Sequence, residues 1–176
     1  MYRCLWRCNI VILVALFATA AYADGKVETA VFVDLSKELE AGQLSKMEIV
    51  ALNDGVETPA PITPELFDGM SDASTGNSLF MSHCNLDLPI AAQLFIAHLF
   101  VHAAEKAVES KPGGVHWRMT FRNLSGDIKH VIYMGPWYIN YPLVNIIYNS
   151  NSMEVPKDFE TWFVTNVNLE NCTMKY

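Results

Sequence analysis

Two histidines four residues apart, His98 and His102, have the spacing that lets two imidazoles bind one metal ion. On a helix this spacing places both rings on one face, which Glu105 and Glu109 share and where a carboxylate could supply a further ligand. The metalloprotease form of this motif needs a glutamate directly after the first histidine, and the chain has Leu99 there. A polar stripe that responds to mild acidification accounts for the pair more simply, so we predict no metal and no other cofactor.

Cys84 is a candidate nucleophile for a thiol hydrolase. It precedes a predicted helix, a setting that favours the thiolate, and His116 or His130 on later strands could act as the base. This order resembles that of papain-like enzymes and related cell-wall amidases, although SHCNLD around Cys84 lacks their glycine and tryptophan context. The alternative, which the sequence favours, is a disulfide between Cys84 and Cys172.

The first 23 residues have the pattern of a secretory signal peptide. Arg3 and Arg7 precede an apolar stretch at residues 10–21, and Ala21-Tyr22-Ala23 fits a small-x-small cleavage site. Twelve apolar residues are short for a membrane span, which needs about 20. We therefore predict cleavage after Ala23 and export of one domain, residues 24–176, to the periplasm or the extracellular space, with no membrane span left after cleavage.

Removal of the signal peptide also removes Cys4 and Cys8, which leaves Cys84 and Cys172 in an oxidising compartment. Two cysteines in that setting predict one disulfide, which would contribute about 4 kcal/mol in the chain-entropy model.

The charge of the chain disfavours nucleic acid as a partner, and we predict none. The formal net charge of the whole chain is −7, and it becomes −9 without Arg3 and Arg7. Nucleic-acid binding needs clustered lysine and arginine, and the longest basic feature is Arg118 with Arg122, two positions of one predicted strand.

An aromatic cluster surrounds the breaker Gly135-Pro136 in the stretch YMGPWYINY. Tyrosine and tryptophan are enriched at interfaces, so an exposed turn here could bind a protein or a carbohydrate, while the alternative is that the rings fill the core. The long irregular segment at residues 55–78 could join this surface. The candidate partner-binding residues are Tyr133, Trp137, Tyr138 and Tyr141.

One long helix over residues 88–110 organises the expected fold, because apolar side chains cover most of its circumference. Before it we expect strands at 26–35, 47–52 and 79–86, with Asn53-Asp54-Gly55 as a turn that could close a hairpin. Thr63-Pro64-Glu65 predicts the cap of a short helix through Phe67.

After the helix, Val115, Trp117, Met119 and Phe121 alternate with polar residues, which predicts a strand with one buried face. A turn at residues 123–127 leads to a strand at 128–134, and further strands are expected at 138–148 and 161–169. The fold class is therefore α+β, an antiparallel sheet packed on one long central helix. The order of elements resembles that of cystatin-like and nuclear-transport-factor-2-like folds, which host inhibitors, enzymes and binding modules alike.

These observations favour a small exported binding or inhibitory protein without catalysis, acting through the aromatic turn and the long loop. A hydrolase is the first alternative, using Cys84 with His116 or His130, or a metal held by His98, His102 and Glu105. A subunit of a surface or secretion assembly is the second, because an exposed edge strand permits strand addition. Asn123 and Asn171 lie in N-glycosylation patterns.

Overall fold

The computed structural model describes residues 32–52, 60–72, 81–136, 143–169 and 171–176. The predicted signal peptide, residues 1–23, lies outside these ranges. Four helices and nine strands lie within them: α1 Val33–Glu40, β1 Leu44–Leu52, α2 Pro64–Asp72, β2 Met81–Asp87, α3 Ile90–Glu105, β3 Val108–Glu109, β4 Trp117–Asn123, β5 Ile128–Met134, β6 Leu143–Tyr148, β7 Asn151–Pro156, α4 Lys157–Asn166, β8 Val167–Asn168 and β9 Thr173–Met174.

Seven strands form one antiparallel sheet in the order β2-β1-β4-β5-β6-β7-β3, which confirms the α+β class. β1 lies between β2 and β4, with Ile49 opposite Cys84 on one side and Met119 on the other. The residues of the expected turn at Asn53-Asp54-Gly55 lie outside the described ranges. The strand that pairs with β1 begins only at Met81, after α2, so β1 and β2 are not joined by a tight hairpin.

Helices α1, α3 and α4 pack on one face of the sheet, which we call the inner face. Phe100 of α3 occupies the centre of this layer, with its ring centroid 4.9 Å from that of Phe32 and 5.0 Å from that of Phe159 in α4. Phe121 of β4 lies at 6.2 Å in an edge-to-face arrangement. The main core therefore forms where three helices meet the sheet.

The central helix is shorter than expected, and it is not buried all round. α3 begins at Ile90, two residues later than expected, with Pro89 as its N-cap. It ends at Glu105, because Val108 and Glu109 pair with β7 as a short edge strand. Ile90 is 65% exposed, and Leu94 and Val101 are also exposed, since α1 and the sheet cover only one side of α3.

One buried polar side chain connects α3 to the sheet. Gln93 Oε1 accepts a hydrogen bond from the main-chain N–H of Leu44, at the start of β1, at 3.2 Å. Its Nε2 donates to Leu88 O at 2.9 Å, so both ends of the amide have partners. Buried polar groups need such partners, and Gln93 therefore fixes α3 against the first residue of β1.

Helix α2 packs on the opposite, outer face. Phe67 and Ile62 form a second apolar cluster with Val50, Leu52 and Val115. The predicted cap is confirmed, because Thr63 Oγ1 accepts a hydrogen bond from Leu66 N at 3.3 Å, and the helix extends to Asp72. The sequence predicted a polar face for β4, and α2 covers part of that face.

One predicted strand is largely helical, and the end of another is helical, its residues 26–31 lying outside the described ranges. Val33–Glu40 is helical where the strand at 26–35 was expected to end, since Leu35 and Leu39, one turn apart, both face the core. Lys157–Asn166 is helical through most of the strand expected at 161–169, and Phe159 and Phe163 have the same four-residue spacing. No helix in the described ranges is both long and apolar enough to cross a membrane.

Candidate functional site

A cluster of charged side chains lies on the outer face, between α2 and strands β1, β4 and β5. Arg118 Nη1 donates to Asp68 Oδ1 of α2 at 2.6 Å, and its Nη2 lies 3.8 Å from Glu48 Oε1. Arg122 Nη2 donates to Glu48 Oε2 at 3.2 Å, and the hydroxyl of Tyr133 donates to Asp68 Oδ2 at 2.7 Å. Asp68 therefore joins an arginine and a tyrosine from neighbouring strands to α2.

Sheet register explains why these groups meet. Arg118 stands opposite Val50 on one side and Tyr133 on the other, so its side chain emerges between two outer-face neighbours and is only 12% exposed. The Nε of Arg118 is buried without a hydrogen-bond partner. Burial, and then the hydrogen bond to Asp68, raises the pKa of the Tyr133 phenol well above its usual range. The phenol is therefore neutral and acts as a donor at physiological pH.

This cluster was missed at the level of sequence. Alternation singled out Arg118 and Arg122 as polar positions of one strand. Their acidic partners, Asp68 and Glu48, lie 50 and 74 positions away along the chain, and only the register brings them together. Because the carboxylates and guanidinium groups compensate one another, the cluster acts as a clamp between α2 and the sheet.

The predicted partner surface is described only in part. Trp137, Tyr138 and Tyr141 lie outside the described residues. Tyr133 lies at the end of β5, half-buried, and contacts α2, which is itself part of the segment at residues 55–78. The structure thus brings the first residue of the aromatic turn together with a helix from the predicted long loop.

Cys84 has the environment of a structural thiol. It is 1% exposed on β2, and burial, followed by a hydrogen bond with Cys172, raises its pKa to about 12. At neutral pH the sulfur is therefore protonated and is a poor nucleophile. Cys84 and Cys172 are free thiols that lie next to each other, without the predicted bond between them.

The structure places neither candidate base beside Cys84. His130 is three strands away in the sheet, a distance of about 14 Å at roughly 4.8 Å per strand. Its Nδ1 lies 2.6 Å from Tyr148 Oη, and its Nε2 lies 3.2 Å from Glu38 Oε2 in a geometry that does not form a hydrogen bond. His116 precedes β4, and its carbonyl accepts the main-chain N–H of Leu52 at 2.9 Å, so β1 lies between it and β2, while burial lowers its pKa.

His98 and His102 lie on the exposed side of α3, together with Glu105, whereas Glu109 belongs to β3 and is not on the helix. His102 Nδ1 is 3.9 Å from Glu105 Oε2, and its Nε2 is 3.1 Å from the amino group of Lys106. A metal cation bound at Nε2 of His102 would be repelled by the positive charge of Lys106. Among the described residues no three His, Cys, Asp or Glu side chains are arranged to hold a metal ion.

The described fold and site define an α+β protein with an ion-paired clamp on one face of its sheet and a pair of thiols at one edge. Comparisons with protein-family models, with curated proteins and with solved structures found no match.

Proposed function

We propose that this chain is a small exported binding protein without catalytic activity, whose partner surface combines the aromatic turn at residues 133–141 with helix α2. The hydrogen bond between Tyr133 and Asp68 is the observation that carries the proposal, because it holds the start of the turn against that helix. Arg118 is bonded to the same carboxylate and fixes α2 on the sheet. A helix that is fixed in this way loses little conformational entropy on binding.

The chemistry of α2 supports a protein as the partner. Leu66 is 54% exposed on the helix that Asp68 holds in place, and the adjoining turn is rich in tyrosine and tryptophan. Apolar and aromatic side chains on a rigid support are typical of the centre of protein interfaces. A carbohydrate is the alternative partner, since the same rings can pack on a sugar face.

The placement of the polar side chains supports a role without catalysis. Cys84 is protonated and buried, β1 and β4 lie between it and His130, and the amino group of Lys106 lies 3.1 Å from Nε2 of His102.

We further propose that Cys84 and Cys172 form a disulfide after export. The Cys84 thiol is hydrogen-bonded to Cys172, and Cys172 Sγ lies 3.7 Å from the carbonyl of the preceding residue, His83, so the two cysteines are close together. Reaction with a disulfide donor, such as oxidised glutathione, would convert the two thiols into one disulfide and release two donor thiols.

The partner surface can be tested by photo-crosslinking in the cells that produce the protein. A benzophenone side chain placed at Leu66 should capture a discrete partner, and the variant that also carries Trp137→Ala and Tyr138→Ala should lose it. The matched control carries the benzophenone at Leu124, which is 85% exposed in the β4–β5 turn at the far end of β4. Capture of the same partner from both positions, or no effect of the alanine changes, would contradict this placement.

A further inference from the structure

β2 is an edge strand of the described sheet, because it pairs with β1 along one side only. The N–H of Leu88, just after β2, donates to Ser45 O at 2.8 Å, which fixes the alternation of main-chain groups along the strand. The main-chain groups of His83 and Asn85 therefore point away from β1. Unpaired edges of this kind are open to pairing with another strand, and proteins often cover them.

Strands β8 and β9, Val167–Asn168 and Thr173–Met174, form a small antiparallel pair, which we call the C-terminal hairpin. Cys172 lies immediately before β9, and its thiol donates to His83 O at 3.7 Å, on the free side of β2. A groove of about 660 Å³ lies between residues 172–176 and the rest of this edge. The hairpin therefore lies along the edge of β2 and contacts it closely at the cysteine.

The hydrogen bonds that hold the reduced hairpin on β2 are weak. Those that the structure describes between the two both involve Cys172, since its thiol donates to His83 O and the Cys84 thiol is hydrogen-bonded to it. A thiol is a weak donor and a weak acceptor. Leu169 and Met174 pack against the main core, but both stay only half-buried.

The hairpin itself also has little stability of its own. It contains two residue pairs, and an isolated two-stranded hairpin is marginally stable in water. Cys172 has a φ of +49°, a backbone conformation that costs energy in a residue other than glycine. A covalent bond at this residue would therefore decide whether the hairpin stays on the edge.

We propose that the C-terminal hairpin is a redox-controlled cover of the β2 edge. The disulfide between Cys84 and Cys172 holds the hairpin on the edge, and reduction of this bond releases it. A dithiol reductant donates two electrons and two protons, so the disulfide becomes two thiols while the reductant becomes a disulfide. Release leaves the outward main-chain groups of β2 free to pair with another strand. This device depends on the disulfide proposed above and does not involve the aromatic turn.

Hydrogen exchange of the full mature chain, measured by mass spectrometry, tests the proposal. The chain is first oxidised with oxidised glutathione, and the loss of two hydrogen atoms in its intact mass shows that the disulfide has formed. After reduction with dithiothreitol, amides of residues 167–176 should exchange about tenfold faster than in the oxidised chain. Exchange in the β4–β5 hairpin should stay the same, because the release is local.

Two variants separate the bond from other effects of the reductant. Cys172→Ser removes the bond and keeps a small polar side chain, so its hairpin should exchange at the fast rate with or without dithiothreitol. Thr173→Ala changes the exposed neighbour and is the matched control, which should keep slow exchange when oxidised. Cys84 stays unchanged, because it belongs to the main core.

Three results would overturn the proposal. Equal exchange of the hairpin in the oxidised and reduced chains, with the disulfide present by mass, would reject the cover and leave the disulfide standing. A chain that oxidised glutathione does not convert would reject both. Faster exchange throughout the reduced chain would show a general loss of stability instead of the release of a cover.

Discussion

The hydroxyl of Tyr133 and the carboxylate of Asp68 are 2.7 Å apart, which joins the end of β5 to a helix 65 positions earlier in the chain. The same carboxylate is bonded to Arg118 at 2.6 Å, so one side chain of α2 serves two strands. Removal of this carboxylate would affect both contacts at once.

Asp68→Asn should lower the free energy of unfolding by about 2 kcal/mol, because Arg118 loses its shortest charged partner and is largely buried. Tyr133→Phe should cost about 1 kcal/mol, the value of one hydrogen bond. Urea unfolding of both single variants and the double variant measures these effects, and the double variant should lose less than the sum. Glu40→Gln, at an exposed position of α1, is the control and should change stability by under about 0.5 kcal/mol. Full additivity would show that the two contacts are independent.

Gln93→Met should destabilise the protein by about 2 kcal/mol, although it makes α3 more apolar. The change leaves the N–H of Leu44 and the carbonyl of Leu88 without the partners that the amide provides. Leu94→Gln, one position along the helix and exposed, is the matched control and should cost little. Chemical denaturation of both variants provides the comparison, and a stable Gln93→Met variant would mean that this amide does not hold α3 to β1.

Alkaline pH should destabilise the reduced protein through Cys84. Its pKa in the folded chain is about 12, above that of an exposed thiol, so the folded state holds this proton more tightly. The resulting stability is fully present below pH 9 and is lost as the pH rises from about 9 towards 12. As the pH rises across this interval, the free energy of unfolding should fall less steeply for Cys84→Ala than for the reduced native protein. Tyr133 and Tyr148, whose pKa values are also raised, contribute equally to both proteins.

The mature chain should begin at Asp24. Intact-mass measurement and N-terminal sequencing of the exported protein test this, since cleavage after Ala23 removes residues 1–23. Ala23→Arg should block cleavage because a large charged residue does not fit the small-x-small rule, whereas Tyr22→Phe at the middle position should be processed normally. Retention of residues 1–23 in the exported native chain would contradict the signal-peptide prediction.

Local patterns in the sequence were sufficient for part of the fold. The alternation before residue 123 and the Gly-containing turn after it predicted β4 and β5, and β5 spans Ile128–Met134 as expected. Gly126 has a φ of +86°, a conformation that glycine adopts without strain, which explains why this turn was recognisable.

The helix or strand preferences of the residues did not predict other elements. α4 contains Thr161, Trp162 and Val164, residues that favour strands, and it is helical because Phe159 and Phe163 both bury against the core. Helix α3 also ends before residue 110, where it was expected to end, because Val108 pairs with β7 in the sheet. The Asp68–Arg118 clamp depends on strand register, which no local pattern contains.

The position of β1 in the sheet has a consequence for the order of folding. Ala51 pairs with Trp117, 66 positions later, so the inner strand acquires its second neighbour only after most of the chain is available. Pairing across such a distance carries a large loop-closure entropy and folds slowly compared with local hairpins. The β4–β5 hairpin should therefore form first and act as the template on which β1 docks.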